Sequence, residues 1–157
     1  MKYKLTDNKK QVGNTTLYQI QALRDIGSDV KAGDLGGWIE KESNLSQDGE
    51  GWVSGNAQVF GKARVFGDAQ VFGDARVSDN AQVSGYARVY GKAQVFGKAQ
   101  VFGYAQVYGD AQVSGNARVY GDARVYGDAR VSGNAWVYDD ARLTYGPFQA
   151  NATVDFK

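Results

Sequence analysis

Apolar residues recur at every sixth position through most of this chain. Valine, and finally leucine, fills that position from residue 53 to residue 143, and alanine stands four residues after each valine. The unit can be written V-[FYS]-G-x-A-[QR], and no residue is inserted or deleted between residues 53 and 142. Such a repeat predicts a solenoid, because one unit cannot bury its apolar side chains without its neighbours.

Each repeat predicts one short strand and one corner. In Ala-x-Val the two apolar side chains point to the same side, because side chains alternate along a strand. The glycine that follows permits the positive φ of a tight corner. An interior of alanine and valine is narrow, which favours three strands per turn. We therefore predict an all-β fold, a single-stranded parallel β-helix (β-solenoid) with triangular coils of 18 residues and five regular coils over residues 53–142.

The unit V-x-G-x-A-x resembles the hexapeptide repeat of left-handed parallel β-helix proteins. This resemblance implies left-handed coiling, whereas the general rule for parallel crossovers favours the right hand. A right-handed triangular β-helix of the bactofilin type is therefore the alternative. Many hexapeptide proteins are trimeric acyltransferases that use a His base at a subunit interface, so the resemblance also implies a homotrimer.

A narrower resemblance lies before the regular repeats. Residues 30–46, VKAGDLGGWIEKESNLS, followed by Trp52-Val53, look like YdcK-like hexapeptide proteins of enteric bacteria and their phages. That resemblance implies the fold and a host range, with no established reaction. It also implies a host-interaction role for a phage protein, such as inhibition of a host-defence protein or sequestration of a small signal molecule.

The two ends of the chain depart from the repeat and predict caps. We expect an N-terminal β cap over residues 1–34, the parallel β-helix over residues 35–144, and a C-terminal cap over residues 145–157. The N-terminal cap is predicted as two strands, residues 2–6 and 15–23, joined by a turn at residues 7–10. At the other end Pro147 fills an alanine slot and should stop the pattern. Residues 151–154 resemble a slipped repeat, and Phe156 is expected to cover the terminal core.

Residues 18 apart should stack in columns on the surface. The outward strand positions give columns of glutamine and arginine, and the positions after valine give columns of aromatic residues. Such a column can stabilise the solenoid by self-stacking, contact another subunit, or stack on a planar ligand. Contiguous exposed aromatic surface favours a subunit contact over a ligand. The candidate binding residues are Phe72, Tyr90, Tyr108 and Tyr126 at one corner and Phe66, Phe102, Tyr120 and Tyr138 at a second.

Composition narrows the chemistry that the chain can perform. The chain contains no cysteine and no histidine, which excludes thiol nucleophiles, His bases and Cys- or His-liganded metal sites. Its formal net charge of +1 argues against a nucleic-acid partner held by bulk charge. We expect no metal and no cofactor. The N-terminus has no apolar leader and no stretch suits a membrane span, so we expect a cytoplasmic protein with no membrane partner.

These observations favour a non-catalytic binding protein on a rigid, homo-oligomeric β-solenoid. The predicted partners are copies of the chain itself, and a host protein or a small planar ligand is also compatible with the sequence. Two alternatives remain: a hexapeptide-type transferase with Asp34, Glu40 or Glu42 in place of a His base, and a structural scaffold that forms filaments. A second candidate binding surface lies near the N-terminal cap and comprises Asp34, Trp38, Glu40, Glu42 and Trp52.

Overall fold

Short strands, one for each repeat, follow three longer strands. The computed structural model describes residues 1–148 and 153–154. The longer strands are β1 (Tyr3–Val12) and β2 (Thr15–Ala22) of the cap and β3 (Leu35–Ile39), which joins the cap to the solenoid; a 3-10 helix follows at Glu42–Asn44. Within these described ranges no helix is long and apolar enough to cross a membrane. The two-residue strands are β4 (Trp52–Val53), β5 (Gln58–Val59), β6 (Arg64–Val65), β7 (Gln70–Val71), β8 (Arg76–Val77), β9 (Gln82–Val83), β10 (Arg88–Val89), β11 (Gln94–Val95), β12 (Gln100–Val101), β13 (Gln106–Val107), β14 (Gln112–Val113), β15 (Arg118–Val119), β16 (Arg124–Val125), β17 (Arg130–Val131), β18 (Trp136–Val137), β19 (Arg142–Leu143) and β20 (Thr153–Val154).

Strands from successive coils pair in parallel and form three sheets. Val89 in β10, for example, pairs with Val71 in β7 and with Val107 in β13, which are 18 residues away on either side. Sheet 1 has the order β1-β2-β3-β5-β8-β11-β14-β17, sheet 2 the order β4-β7-β10-β13-β16-β19, and sheet 3 the order β6-β9-β12-β15-β18-β20. This confirms the predicted parallel β-solenoid with 18-residue coils. The left-handed coiling implied by the resemblance stays a prediction.

Alanine and valine build the interior of the regular coils. Their side chains, from Val53 to Ala141, are at most 1% exposed and belong to one continuous core. Small side chains let the three sheets approach closely, and each buried valine contributes about 1.5 kcal/mol of apolar burial. Each coil is therefore stabilised by the coils above and below it, as in other solenoids.

Backbone hydrogen bonds continue through the corners. At one corner Gly115 has a φ of +63°, and the Ala117 N–H donates to the Ser114 carbonyl over 3.2 Å, which closes the turn. The Asn116 N–H donates to the Gly133 carbonyl of the next coil over 2.8 Å. Successive coils are so close here that a Cβ added to Gly115 would lie 2.8 Å from the Gly133 nitrogen.

Aspartate replaces the corner glycine at two positions. Asp79 and Asp139 have φ values of +58° and +53°, the left-handed region that aspartate tolerates better than most residues. The Asp79 carboxylate accepts the Gly97 N–H of the next coil over 3.1 Å. Asp79 therefore gains a bond to the neighbouring coil.

The predicted turn at residues 7–10 is wrong. Strand β1 extends to Val12, with an irregular register between Leu5 and Lys9, and it pairs antiparallel with β2. The turn falls at Gly13, whose φ of +59° suits a tight connection. The bulge in β1 absorbs the polar segment that suggested a turn.

Lys2 and Tyr3 close the N-terminal end of the solenoid. Lys2 is only 1% exposed, and its Nζ donates to the carbonyls of Gly51 over 2.8 Å and Asp48 over 3.3 Å. Tyr3 is fully buried, and its hydroxyl donates to the Leu45 carbonyl over 2.6 Å. These side chains satisfy carbonyl groups of the first coil that have no preceding coil to bind them.

The burial of Lys2 predicts an unusual dependence of stability on pH. Burial, with a smaller contribution from the Arg24 charge, lowers the pKa of Lys2 from 10.5 to about 8. Between pH 8 and 10 the unfolded chain keeps a proton that the folded chain has released, so the free energy of unfolding should rise by about 2 kcal/mol. Burial raises the pKa of Tyr3 above its ordinary value of 10. Above pH 10 the unfolded chain therefore loses the tyrosine proton first, and stability should fall.

Urea unfolding from pH 7 to 11 measures this profile. Lys2→Met keeps the length of the apolar stem and removes the amine, so the variant should lose most of the rise between pH 8 and 10. A wild-type stability that stays flat or falls over this interval would contradict the assignment of Lys2 as a buried amine.

The last corner of the solenoid is one residue shorter than the others. Phe148 pairs with Val131, 17 residues earlier, and Val154 pairs with Val137 at the same spacing. Pro147 therefore does not stop the pattern; the shorter corner brings the partly buried Phe148 onto the core. The predictions for residues 151–152 and for Phe156 lie outside the described residues.

Candidate binding face

One corner column of aromatic residues forms a continuous stack. The ring centroids of Phe72 and Tyr90 lie 4.8 Å apart, and those of Tyr90 and Tyr108 and of Tyr108 and Tyr126 lie 4.9 Å apart. Each pair is within 4° of parallel. These four rings, here called the long ladder, were predicted to stack because the 18-residue coil repeats their position without a break.

The stacking decides which parts of the long ladder a partner can touch. The faces of Tyr90 and Tyr108 are covered by neighbouring rings, so these residues present ring edges and hydroxyl groups. Only the two end rings have an open face, because the column continues with Ser54 before Phe72 and with Thr144 after Tyr126. A planar ligand can stack on the ends of the ladder but not along it.

The other predicted aromatic residues lie over a different sheet. Phe102, Tyr120 and Tyr138 stack with centroid distances of 4.9 and 5.4 Å, beside sheet 3. Phe66 is separated from them by one serine position, and the Arg64 guanidinium lies 5.3 Å from its ring centroid. The eight predicted residues thus form two groups on different sides of the solenoid.

The sequence reasoning missed a third aromatic pair. Tyr86 and Tyr104 stack with centroids 5.1 Å apart, and they are 55% and 61% exposed. They occupy the position before alanine, one coil apart, where most coils carry a charged or amide side chain. The same 18-residue rule that predicted the long ladder finds this pair when it is applied to that position.

Sheet 2 carries aromatic residues along both of its borders. In sequence, each residue of the long ladder comes directly after a strand of sheet 2, and Tyr86 and Tyr104 come just before two of these strands. The two rows therefore lie on either side of the outward-facing column Gln70, Arg88, Gln106, Arg124 and Arg142. We call this surface the aromatic-bordered face.

Tyr90 leans inward over this face. Its hydroxyl donates to Gln106 Oε1 over 3.1 Å. Burial and the neighbouring Tyr108 raise the pKa of Tyr90, while Arg124 and Arg88 act in the opposite direction. The Tyr90 hydroxyl therefore interacts with the central column of amide and guanidinium groups.

Two cavities in the described part of the chain open on the aromatic-bordered face. The larger has a volume of about 690 Å³ and lies where the cap meets the first coils, between residues 26–35 and the side chains of Trp52, Phe72 and Tyr86. The smaller has a volume of about 400 Å³ and is lined by Tyr86, Arg88, Tyr104, Gln106, Asp122 and Arg124. Tyr86 and Arg88 line both cavities, so the two lie side by side along the face.

The candidate N-terminal surface is divided among different sides of the molecule. Asp34 and Trp52 line the larger cavity, although Trp52 itself is only 5% exposed and contacts the Tyr3 ring edge-on. Trp38 lies in sheet 1, where the Lys10 ammonium stands 4.5 Å from its ring centroid.

The two glutamates of that surface lie elsewhere. Glu40 Oε1 accepts the Gly61 N–H over 2.8 Å, at the corner between sheets 1 and 3. Glu42 begins the 3-10 helix, and its side chain is exposed. The three acids considered for transferase chemistry, Asp34, Glu40 and Glu42, are therefore not gathered around one cavity.

Comparison with known families supports the repeat architecture. A family model described as the YdcK beta solenoid repeat matches residues 69–85, 111–127 and 123–139. These matches fall within the regular coils that carry the aromatic-bordered face. No curated protein matches the chain. The chain is a β-solenoid repeat protein, and its regular coils are similar to the YdcK beta solenoid repeat over residues 69–85 and 111–139.

Proposed function

We propose that this chain is a non-catalytic interaction protein that associates with copies of itself through the aromatic-bordered face. The observation that carries the proposal is the position of two rows of exposed and half-buried aromatic residues. The long ladder, whose rings are half-buried, and the exposed Tyr86–Tyr104 pair both border sheet 2. Aromatic residues that lie together at a surface are typical of interfaces.

The regular spacing of the face suits self-association. Ring edges and hydroxyls of the long ladder repeat every 4.8 to 4.9 Å, which is the rise of one coil. A second copy carries the same repeat, so contacts that fit in one coil fit in the next. A backbone held by coil-to-coil hydrogen bonds loses little freedom on association, which favours binding.

The number of subunits in the assembly is proposed from the hexapeptide resemblance, which implies three. A trimer places equivalent faces around one axis, and each face then contacts its neighbours in the same way. The placement of the acids also favours binding over catalysis, because Glu40 is engaged at a corner far along the coil from the cavity that Asp34 lines.

The long ladder should be required for assembly. We expect the triple variant Tyr90→Ser, Tyr108→Ser, Tyr126→Ser to elute as a monomer of 17.0 kDa in size-exclusion chromatography with light scattering, while wild type elutes as an oligomer. Serine already occupies this slot at other corners, for example at Ser114 and Ser132, so the fold should survive.

A matched control uses the ladder over sheet 3. The variant Phe102→Ser, Tyr120→Ser, Tyr138→Ser removes a comparable set of stacked rings from the other face. At roughly 1 kcal/mol per stacked pair it should lose about 2 kcal/mol, against about 3 kcal/mol for the first variant, and it should keep the wild-type mass. Equal masses for wild type and the first variant would overturn the proposal.

A further inference from the structure

The larger cavity on the aromatic-bordered face has the dimensions of a ligand site. Its volume of about 690 Å³ lies within the usual range for small-molecule pockets. One wall is the cap segment 26–35, and the other is formed by the first coils of sheet 2. Since both walls belong to the same chain, the cavity exists in each protomer.

Large apolar side chains are left accessible around this cavity. Leu35 is 53% exposed and Tyr86 is 55% exposed, and both line it. Phe72 and Tyr86 begin their respective stacks, so each has one face covered by the next ring and one face turned toward the cavity. Two open aromatic faces can hold an apolar or aromatic group and can also attract a cation.

The charge around the cavity is predominantly negative. One guanidinium, from Arg88, stands against four carboxylates. Asp68 Oδ1 accepts the Glu50 N–H, and Asp34 Oδ2 accepts the Lys31 N–H, each over 2.9 Å. These bonds fix both carboxylates, and the second oxygen of each has no hydrogen-bond partner within the described ranges. The four acids are Asp29, Asp34, Glu50 and Asp68.

The arrangement of the acids points to an organic cation rather than a metal ion. Across residues 1–148 no group of three or more acidic side chains is close enough to hold a metal. Carboxylates spread around an apolar cavity suit a ligand that is itself extended. We infer that this cavity binds a small organic cation, an amine or a guanidinium attached to an aromatic or apolar body, with the charge toward Asp34 and Asp68 and the body against Phe72 and Tyr86.

Three compounds of similar shape test the inference by their charge. We would titrate 2-phenylethylamine, the neutral 2-phenylethanol and the anionic phenylacetate into the ¹⁵N-labelled full chain at pH 7. The amine should shift amide signals around the cavity, among them those of Asp34, Glu50 and Asp68. It should bind more tightly than the alcohol, and phenylacetate should bind least, because the carboxylates repel it.

Two variants test where the amine binds and whether its binding is independent of self-association. Asp68→Asn keeps an acceptor for the Glu50 N–H and removes the charge, so it should weaken the amine at least about threefold. Asp110→Asn, the same change at an exposed corner away from the cavity, should leave binding unchanged. Both variants keep the long ladder, so their oligomeric mass should equal that of wild type whether or not the cation binds.

Three results would overturn the inference. They are equal shifts from the three compounds, shifts that map away from the cavity, and no shifts up to about 10 mM amine, where even weak fragments bind. The proposed self-association would stand in each of these cases, since it depends on the long ladder and is measured by mass.

Discussion

Replacing Tyr3 with alanine should lower the free energy of unfolding by about 4 kcal/mol, the largest loss that we expect from a single side chain outside the coils. Tyr3 is fully buried in the core cluster that continues into the solenoid, and it meets Trp52 edge-to-face at 6.3 Å. Its removal leaves a large cavity at the end of the stack. It also leaves the Leu45 carbonyl without its 2.6 Å hydrogen bond.

A second substitution separates these contributions. Tyr3→Phe keeps the ring and removes only the hydroxyl, which also reaches the Glu42 carbonyl over 3.0 Å. We expect it to cost about 1 to 2 kcal/mol, because buried acceptors are left unpaired. Urea unfolding of the three proteins measures both steps. A loss below about 1 kcal/mol for Tyr3→Ala would show that the cap does not close the core.

Adding one methyl group to a corner glycine should cost almost as much. Gly115→Ala combines a left-handed φ of +63° with a Cβ that lies 2.8 Å from the Gly133 nitrogen of the next coil. We expect a loss of about 3 kcal/mol from strain and overpacking together, measured by thermal or urea unfolding. The alanine cannot relieve the contact by rotating, since the neighbouring atom is backbone.

Gly13→Ala serves as a control that measures the cost of a positive φ alone, without a steric contact. The φ of Gly13 is +59°, but a Cβ there would meet nothing within 4 Å. Gly13→Ala should therefore cost only about 1 kcal/mol. Gly115→Asp should be less harmful than Gly115→Ala, because an aspartate can accept the next N–H as Asp79 does. If Gly13→Ala and Gly115→Ala destabilise equally, the coil-to-coil contact does not limit the corner.

The repeat allowed most of the fold to be predicted because its period does not change between residues 53 and 142. Each residue of a regular coil lies 18 positions from the equivalent residue of the next coil. The pairing of Val89 with Val71 and Val107 therefore follows from counting. The stacking of Tyr90 on Tyr108 follows from the same count. Side-chain contacts could be predicted here since the backbone repeats at a constant rise.

The ends could not be predicted in this way. The bulge in β1 depends on pairing with β2, and no local pattern marks it. Lys2 is buried because the first coil offers carbonyls to its ammonium group, whereas a lysine near a terminus ordinarily predicts solvent. The larger cavity depends on where the cap segment 26–35 folds back against sheet 2, which is set by tertiary contacts.

The acids show the same limit. Asp34 and Glu40 are only six residues apart, and this spacing predicts one candidate site for both. In the structure β3 intervenes and carries them to different corners, with Glu40 bound to Gly61 and Asp34 on the cavity. In a solenoid, the corner on which a residue lies is therefore a better guide to its neighbours than the number of residues between two positions.

Native mass spectrometry of the unmodified protein, purified from cells, tests the central claim most directly. Self-association through the aromatic-bordered face predicts a mass that is a whole multiple of 17.0 kDa, with three copies expected, and conversion to 17.0 kDa in the Tyr90, Tyr108, Tyr126 triple serine variant. A wild-type mass of 17.0 kDa at micromolar concentration, or an oligomer that survives in the variant, would contradict the account.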